Sequence, residues 1–423
     1  MSPRILPVQR ALWYFRLPMQ LPFINDLEDV ELVLPTPLRM RADAHYTGKG
    51  ITIAFLDSGF YPHPDLTQPT NRIAYFADAR GESVRENVGF SIPHRSSWHG
   101  TMTSCVCAGN GFMSMYRYSG LAPSARVVLV KTGNLKNHHI GEQDISRALR
   151  WLLDNAQRFE VRVINISLGG DRSSDGQLTA LDALVEEAVA RGMVVVCAAG
   201  NSGAQRVVSP ASAPSAITVG GLNDHNSLDR SRWTLYHSSY GRGGRGAAKP
   251  EVIAPAQWIA APMLPRTKVH NEAQFLWRIE RATDAELARI LRTKEARQNI
   301  SAETMSKPLH EIRRIVRQRM NDQKFIHPHY QHVDGTSFAA AIVSSVVAQM
   351  LEANPSLTPA QVKRILIETA EPLDDAPPER QGAGVVHAGA AVAAALKLKR
   401  RRPRLQRYKA KGEMRSASSS LGF

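Results

Sequence analysis

Three stretches of this chain place a hydroxyl, an imidazole and a carboxylate where they could act together on a carbonyl carbon. Gly335-Thr336-Ser337 is a tight turn running into an apolar, helix-like run, Phe338 to Val347, which puts Ser337 at a helix N-terminus with its hydroxyl free. Trp98-His99-Gly100-Thr101 presents an imidazole beside a glycine, and Ile51 to Leu56 reads as a buried strand delivering the carboxylate of Asp57 at its end. A serine attacks an unactivated carbonyl when a base takes its proton, an acid holds that base's tautomer, and donors meet the developing oxyanion. Ser337, His99, Asp57 and the side-chain amide of Asn201 supply these parts. Each residue alone also has a bland reading, since serine caps helices and Asp, Asn, Ser and Gly end strands in many folds.

The elements that must position them alternate. Short apolar runs at Ile51–Leu56, Val127–Lys131, Val161–Ser167, Met193–Cys197, Ala216–Val219 and Val252–Ala254 read as strands, with a shorter one at Arg72–Phe76. Helical spacing marks Glu142–Asn155 and Leu178–Ala190, small residues make a helix of His99–Ala108, and Thr358 caps a helix from Pro359 to Ala370. Gly382 to Val386 closes with a short extended piece before an Ala-rich helix to about Leu396. Buried strands separated by helices of ten or more residues predict an α/β fold, a mostly parallel central sheet with helices on both faces. Such sheets hold their sites beyond the carboxyl ends of the strands, where Asp57, Ser167 and Asn201 fall.

Charge is unevenly placed. Of the formal +15, residues 262–325 carry fourteen basic and eight acidic groups and residues 397–423 carry ten and one, so the rest is neutral. Within 262–325, Asn271–Ala282, Ala285–Ala296 and Lys307–Met320 read as helices, the last with Leu309, Ile312, Ile315 and Val316 along one side. That stripe must pack on the protein's own body as a helical insert, or serve a partner, an anionic surface or a lid that moves. The three cysteines, Cys105, Cys107 and Cys197, read as buried unpaired thiols, with no metal-ligand spacing around them. The N-terminal apolar cluster Ala11–Phe15 is broken by Arg16 and Pro18. No cleavable signal or membrane span is therefore expected, and the location is expected to be cytoplasmic.

Five motifs in order make the chain resemble the subtilisin-like serine proteases, the subtilases. Asp57-Ser58-Gly59, His99-Gly100-Thr101 and Gly335-Thr336-Ser337-Phe338-Ala339 resemble the family's aspartate, histidine and serine motifs. Asn165-Ile166-Ser167-Leu168-Gly169-Gly170 resembles its substrate-pairing strand, and Ala198-Ala199-Gly200-Asn201 the segment whose asparagine completes the oxyanion hole. The order Asp, His, Ser separates the chain from α/β-hydrolases, where the nucleophile comes first. The resemblance implies a three-layer subtilisin-like fold. It implies an endopeptidase with Asp57, His99 and Ser337 catalytic, Asn201 and the Ser337 N–H as oxyanion donors, and Ser167, Leu168, Gly169, Gly170, Ala199 and Gly200 against the substrate. Protein or peptide substrates follow from it.

The expected organisation is an extension wrapping the core (1–47), the subtilase domain (48–261 and 326–396), a basic helical insert (262–325) and a basic, disordered tail (397–423). The insert is a place for a regulator, and residues 397–415 could contact nucleic acid or an anionic surface nonspecifically. Ala341 stands where the family usually has proline, and Met102 where a second histidine is common. The first 47 residues are short for a folding prodomain, as in intracellular relatives. No cofactor is required; calcium stays open through backbone oxygens, with no acidic loop near Gly109–Gly120 to hold it. A silent, subtilase-like binding scaffold is the competing reading.

Overall fold

The computed structural model describes residues 33–81, 84–86, 90–133, 140–170 and 176–401. Residues 1–32 of the expected extension and 402–423 of the expected tail lie outside the described residues. After α1 (Thr36–Arg39) the chain runs through β1 (Thr52–Asp57), α2 (Pro64–Thr67), β2 (Ile73–Asp78) and the short β3 (Arg85–Glu86). Helix α3 (Trp98–Ala108), β4 (Arg126–Lys131), α4 (Glu142–Asn155), β5 (Val161–Ile166), α5 (Ala180–Ala190), β6 (Val194–Ala198) and β7 (Ile217–Asn223) follow. Then come β8 (Thr234–Leu235), the ribbon β9 (Gly241–Arg242) and β10 (Ala248–Lys249), and β11 (Val252–Pro255).

One sheet takes the order β11-β7-β6-β5-β1-β4-β2-β3, with β8 beside β7. Its seven long neighbours pair in parallel, and only the short β3 and β8 run antiparallel. Alternation along the strands divides the core. Ile53, Phe55, Val127, Leu129, Val163, Val194 and Val196 face α3 and a long helix described below, whereas Ala54, Leu56, Val128, Val130, Ile164, Ile166 and Val195 face α4 and α5. Burial on both faces explains why the strands read as continuous apolar runs. Helix α5 starts after Leu178, because Thr179 and Asp182 cap it reciprocally (3.0 and 3.2 Å).

A second, antiparallel sheet was not visible in the sequence. Strand β12 (Ile259–Pro262) pairs with β14 (Tyr330–Val333), which also pairs with β13 (Phe325–His327). Between β12 and β13 lie α6 (Lys268–Arg281), α7 (Asp284–Ile290), α8 (Lys294–Asn299), α9 (Ala302–Met305) and α10 (Leu309–Asp322). The single helix expected over Ala285–Ala296 is two, since Thr293 Oγ accepts from Ala296 N–H (3.1 Å) and caps a new start. The apolar stripe of α10, Ile312, Val316 and Met320, is buried on Phe275, Leu276 and Ile279 of α6, so this segment carries its own small core. Salt bridges from Arg317 to Glu280 (2.6 Å) and Arg319 to Glu272 (2.5 Å) join the same helices outside it.

The chain closes with α11 (Thr336–Ala353), α12 (Pro359–Thr369), α13 (Pro378–Gln381) and α14 (Ala388–Arg401). Helix α11 is apolar and long enough to cross a bilayer, the one such helix among the described residues, but 94% of it is buried as the central helix of the core. The helix expected to stop near Leu396 continues to Arg401, and Lys399 Nζ donates to the Ala353 carbonyl at the end of α11 (3.0 Å). At the other end of the core, Arg39 lies fully buried on Asp224 (both contacts 2.7 Å) and donates to the carbonyls of Gln257 and Trp258, fastening α1 to the approach of β12.

Candidate active site

Asp57 ends β1 and is fully buried. Its Oδ1 accepts from His99 Nδ1 (2.8 Å), Ser58 N–H (2.7 Å) and Ser58 Oγ (3.2 Å), and its Oδ2 lies near His99 Nδ1 (2.9 Å) and accepts from Thr103 Oγ (3.2 Å). A carboxylate only accepts, so the shared proton belongs on His99 Nδ1 and the lone pair is left on Nε2. His99 is the second residue of α3, brought to β1 by Gly100. A Cβ at position 100 would stand 2.3 Å from the Gly59 carbonyl oxygen and 2.8 Å from Asp57 Cβ, so only glycine lets the helix approach this closely. Burial alone would lower the His99 pKa, but the charge and hydrogen bond of Asp57 outweigh it and hold it above the usual value.

Ser337 lies in the first turn of α11, 8% exposed, with α3 packed alongside. Gly335 makes the turn possible at φ 141°, a left-handed-side conformation that side chains disfavour. The Ser337 N–H has no hydrogen-bond partner among the described residues and points from the positive end of an 18-residue helix. Ser337 Oγ donates to the Ser167 carbonyl (3.4 Å), and Ser167 Oγ donates back to the Ser337 carbonyl (3.0 Å). Among the described residues no hydrogen bond joins Ser337 Oγ to His99, so proton transfer requires the hydroxyl to turn toward Nε2.

Asn201 follows β6 across a short turn. Its Oδ1 accepts from Thr336 N–H and Thr336 Oγ (both 2.9 Å), while Thr336 Oγ accepts from Gly200 N–H (3.2 Å). Fixing the oxygen this way leaves Nδ2 with no hydrogen-bond partner among the described residues. Beyond β5, Leu168 and Gly169 make no backbone hydrogen bond with other described residues, whereas Gly170 N–H is held by Ser209 (2.7 Å). A partly exposed Leu168 and an exposed Gly169 thus leave a short edge that no described residue pairs with. The backbones of Ala199 and Gly200 are already engaged, Ala199 N–H on Val219 (3.0 Å) and the Gly200 carbonyl by Ser239 (3.0 Å).

The structure therefore gathers Asp57, His99, Ser167, Asn201 and Ser337 at the carboxyl ends of β1, β5 and β6. It adds Ser58, Thr103 and Thr336, which sequence reasoning passed over. Thr103 had a signal, standing four residues after His99 on the same helix face. One group of possible metal ligands, His63, Asp65 and Cys105, has donor atoms within 4.8 Å of one another and is buried. Both Asp65 oxygens are already taken, by Met113 N–H (3.0 Å) and Tyr330 O–H (2.5 Å), and Arg72 stands beside the thiol, so this set does not suit a hard cation.

A family model described as the subtilase family matches residues 48–384. The serine protease AprX of Bacillus subtilis strain 168 is 30% identical over 351 residues, 81% of this chain and 66% of AprX. Subtilisin E of the same strain is 34% identical over 193 residues, 43% of each chain. The match thus spans less than two thirds of either relative. Two solved structures share the fold. Fervidolysin from Fervidobacterium pennivorans has a TM-score of 0.53 at 20% identity, covering 82% of this chain and 43% of its own. The prenylagaramide maturation protease PagA has a TM-score of 0.51 at 19% identity, covering 85% and 96%.

Proposed function

The chain belongs to the subtilase family, and from that premise we propose that it is a serine endopeptidase working through Asp57, His99 and Ser337. The observation that carries the reading is the His99 Nδ1–Asp57 bond (2.8 Å), which leaves Nε2 basic beside the helix turn that bears Ser337. Ser337 Oγ leaves the Ser167 carbonyl and attacks the scissile carbonyl carbon while His99 Nε2 takes its proton. The imidazolium so formed is stabilised by Asp57, itself held by Ser58 and Thr103, and it returns the proton to the leaving amine. Water then repeats the sequence on the acyl-enzyme.

Asn201 Nδ2 and the Ser337 N–H are the oxyanion donors of this proposal, with Thr336 as the positioning residue that orients the amide. The free edge at Leu168–Gly169 supports pairing with an extended peptide running over the strand ends, with Ser167, Gly170, Ala199 and Gly200 around it. A second reading, a silent scaffold of the same fold, draws on the hydrogen bond that parks Ser337 Oγ on Ser167. Labelling of the purified chain with a fluorophosphonate probe, followed by peptide mapping, separates the two. Modification at Ser337, absent from Ser337→Ala, is expected. A folded protein that stays unlabelled and leaves denatured casein intact would promote the scaffold.

A further inference from the structure

The order of the sheet lays the site out as a row. Asn201 follows β6, Ser167 to Gly170 follow β5, Asp57 ends β1, Lys131 ends β4 and Asp78 ends β2, in the sheet order β6-β5-β1-β4-β2. Asp57 is in register with Lys131, and Lys131 with Asp78. Registered residues of parallel neighbours point to the same face, and residues of this parity, Phe55, Leu129 and Phe76, pack on the α3 side. Lys131 is thus on the face that holds His99. Its Cε lies 3.3 Å from where a Cβ of Gly59 would be, and the Ser96 carbonyl oxygen lies 2.7 Å from that same point, three residues before His99.

Among the described residues, the cations at this end of the row outnumber the carboxylates. Asp78, buried, accepts from Arg80 Nε (2.8 Å) and Nη2 (2.7 Å) and from Arg85 Nη2 (2.7 Å). Lys131 is half-buried, and its ammonium makes no hydrogen bond or ion pair among the described residues. Among the described side chains Asp78 thus has Arg80, Arg85 and Lys131 around it, while Asp57, in register on the other side of Lys131, is already bonded to His99 and Ser58. Burial and then the repulsion of Arg80 pull the Lys131 pKa down, with Asp78 opposing and Arg85 adding to it. A lysine serving only the surface would extend into water; this one is laid over Gly59 beside two guanidiniums, a costly arrangement without an incoming anion.

Resting on the protease reading above, we propose that Lys131, with Arg80 and Arg85, forms a subsite for an acidic side chain of the substrate on the acyl side of the scissile bond. A peptide that pairs at Leu168–Gly169 and runs toward β4 crosses two strand spacings, about 10 Å, or roughly three residues of extended chain. The acidic residue is therefore placed two to four residues before the bond. Its carboxylate gives the Lys131 ammonium a direct partner without displacing Asp78.

Quenched fluorescent peptides carrying Glu, Gln or Lys at each of those three positions test this by kcat/KM. At one position Glu is expected to exceed Gln by about tenfold at about 0.05 M salt, with the ratio shrinking at about 0.5 M. In Lys131→Met the ratio should fall toward one, whereas general damage would lower Glu and Gln peptides together and leave the ratio intact. No Glu preference at any of the three positions overturns the proposal, and so does a preference that survives both Lys131→Met and Arg85→Met. Fluorescence anisotropy of the same peptides on Ser337→Ala reads the subsite without turnover. A chain that binds Glu over Gln but resists the fluorophosphonate probe would fail as a protease and keep the subsite. A labelled enzyme without the preference would do the reverse.

Discussion

Acid should loosen the joint between the helical segment and the core, through His270. His270 on α6 is 7% exposed and meets His329, between β13 and β14, through Nε2 and Nδ1 at 2.8 Å. Its Nδ1 is buried with no hydrogen-bond partner among the described residues. His327 lies 5.7 Å from His329 between ring centroids, and His63 from the core, with Asp65 near it, faces the same group. Arg117 and Arg281 add positive charge on the His327 side. Burial, and then repulsion from His329 and His63, push the His270 pKa from 6.5 to about 4. The folded state therefore binds fewer protons than the unfolded one, and stability complete above pH 6.5 is lost as pH falls toward 4. At pH 5 the gap amounts to about 1.5 pKa units, or about 2 kcal/mol from His270. His327, also drawn to about 4 but more exposed, adds a smaller amount of the same sign. Urea midpoints compared at pH about 7.5 and about 5 in the unmodified chain and in His270→Gln, which cannot titrate, isolate this contribution from that of the carboxylates. The substituted chain should lose about 2 kcal/mol less on acidification. Equal losses in both chains would refute the reasoning.

Further predictions concern the proposed catalytic groups. Asn201→Ala should lower kcat by about 10²- to 10³-fold with little change in KM. Thr336→Val, which removes the hydroxyl bonded to Asn201 Oδ1, should cost less, and the double variant should cost less than the product of the two; independent effects would mean that Thr336 does not act through the amide. Because the base must be neutral, kcat/KM should fall with decreasing pH through a pKa above 6.5, where Asp57 holds His99 against the opposing pull of burial. Asp57→Asn should move that limb to lower pH along with a rate loss of about 10⁴-fold, and a limb that stays in place would detach it from His99.

Much of this could be read from residue order because the main sheet is simple. Its strands are buried on both faces, so Thr52–Asp57 and Val161–Ile166 announce themselves by apolar content alone, and Glu142–Asn155 by helical spacing. The site residues stood out because strand ends and a helix start are where a parallel sheet exposes polar groups. The second sheet gave no such signal. Ile259-Ala260-Ala261-Pro262 is four residues long and ends in proline, and its partner Tyr330–Val333 lies beyond five intervening helices. Pairing at that separation depends on how the segment between folds, which no local pattern records. Thr336 was hidden for a different reason, since its role is a hydrogen bond to Asn201, 135 residues away.

That second sheet bears directly on the turn that carries Ser337. Asp334 and Gly335 alone separate β14 from α11. Asp334 is held on both sides, its Oδ1 by Trp258 N–H (3.1 Å) and its Oδ2 by Lys324 Nζ (2.5 Å), while Gly335 N–H donates to the Ala256 carbonyl (2.7 Å). Trp258 and Ala256 lie on the approach to β12, and Lys324 just precedes β13. The two ends of the helical segment are therefore clamped to each other and to the turn that aims Ser337. Strand β12 also packs along α3, which carries His99. A displacement of β12 against β14 would thus reach His99 and Ser337 together, through backbone hydrogen bonds on one side and helix packing on the other. The segment between β12 and β13 is thereby joined to both Ser337 and His99, the two residues on which the proposed reaction depends.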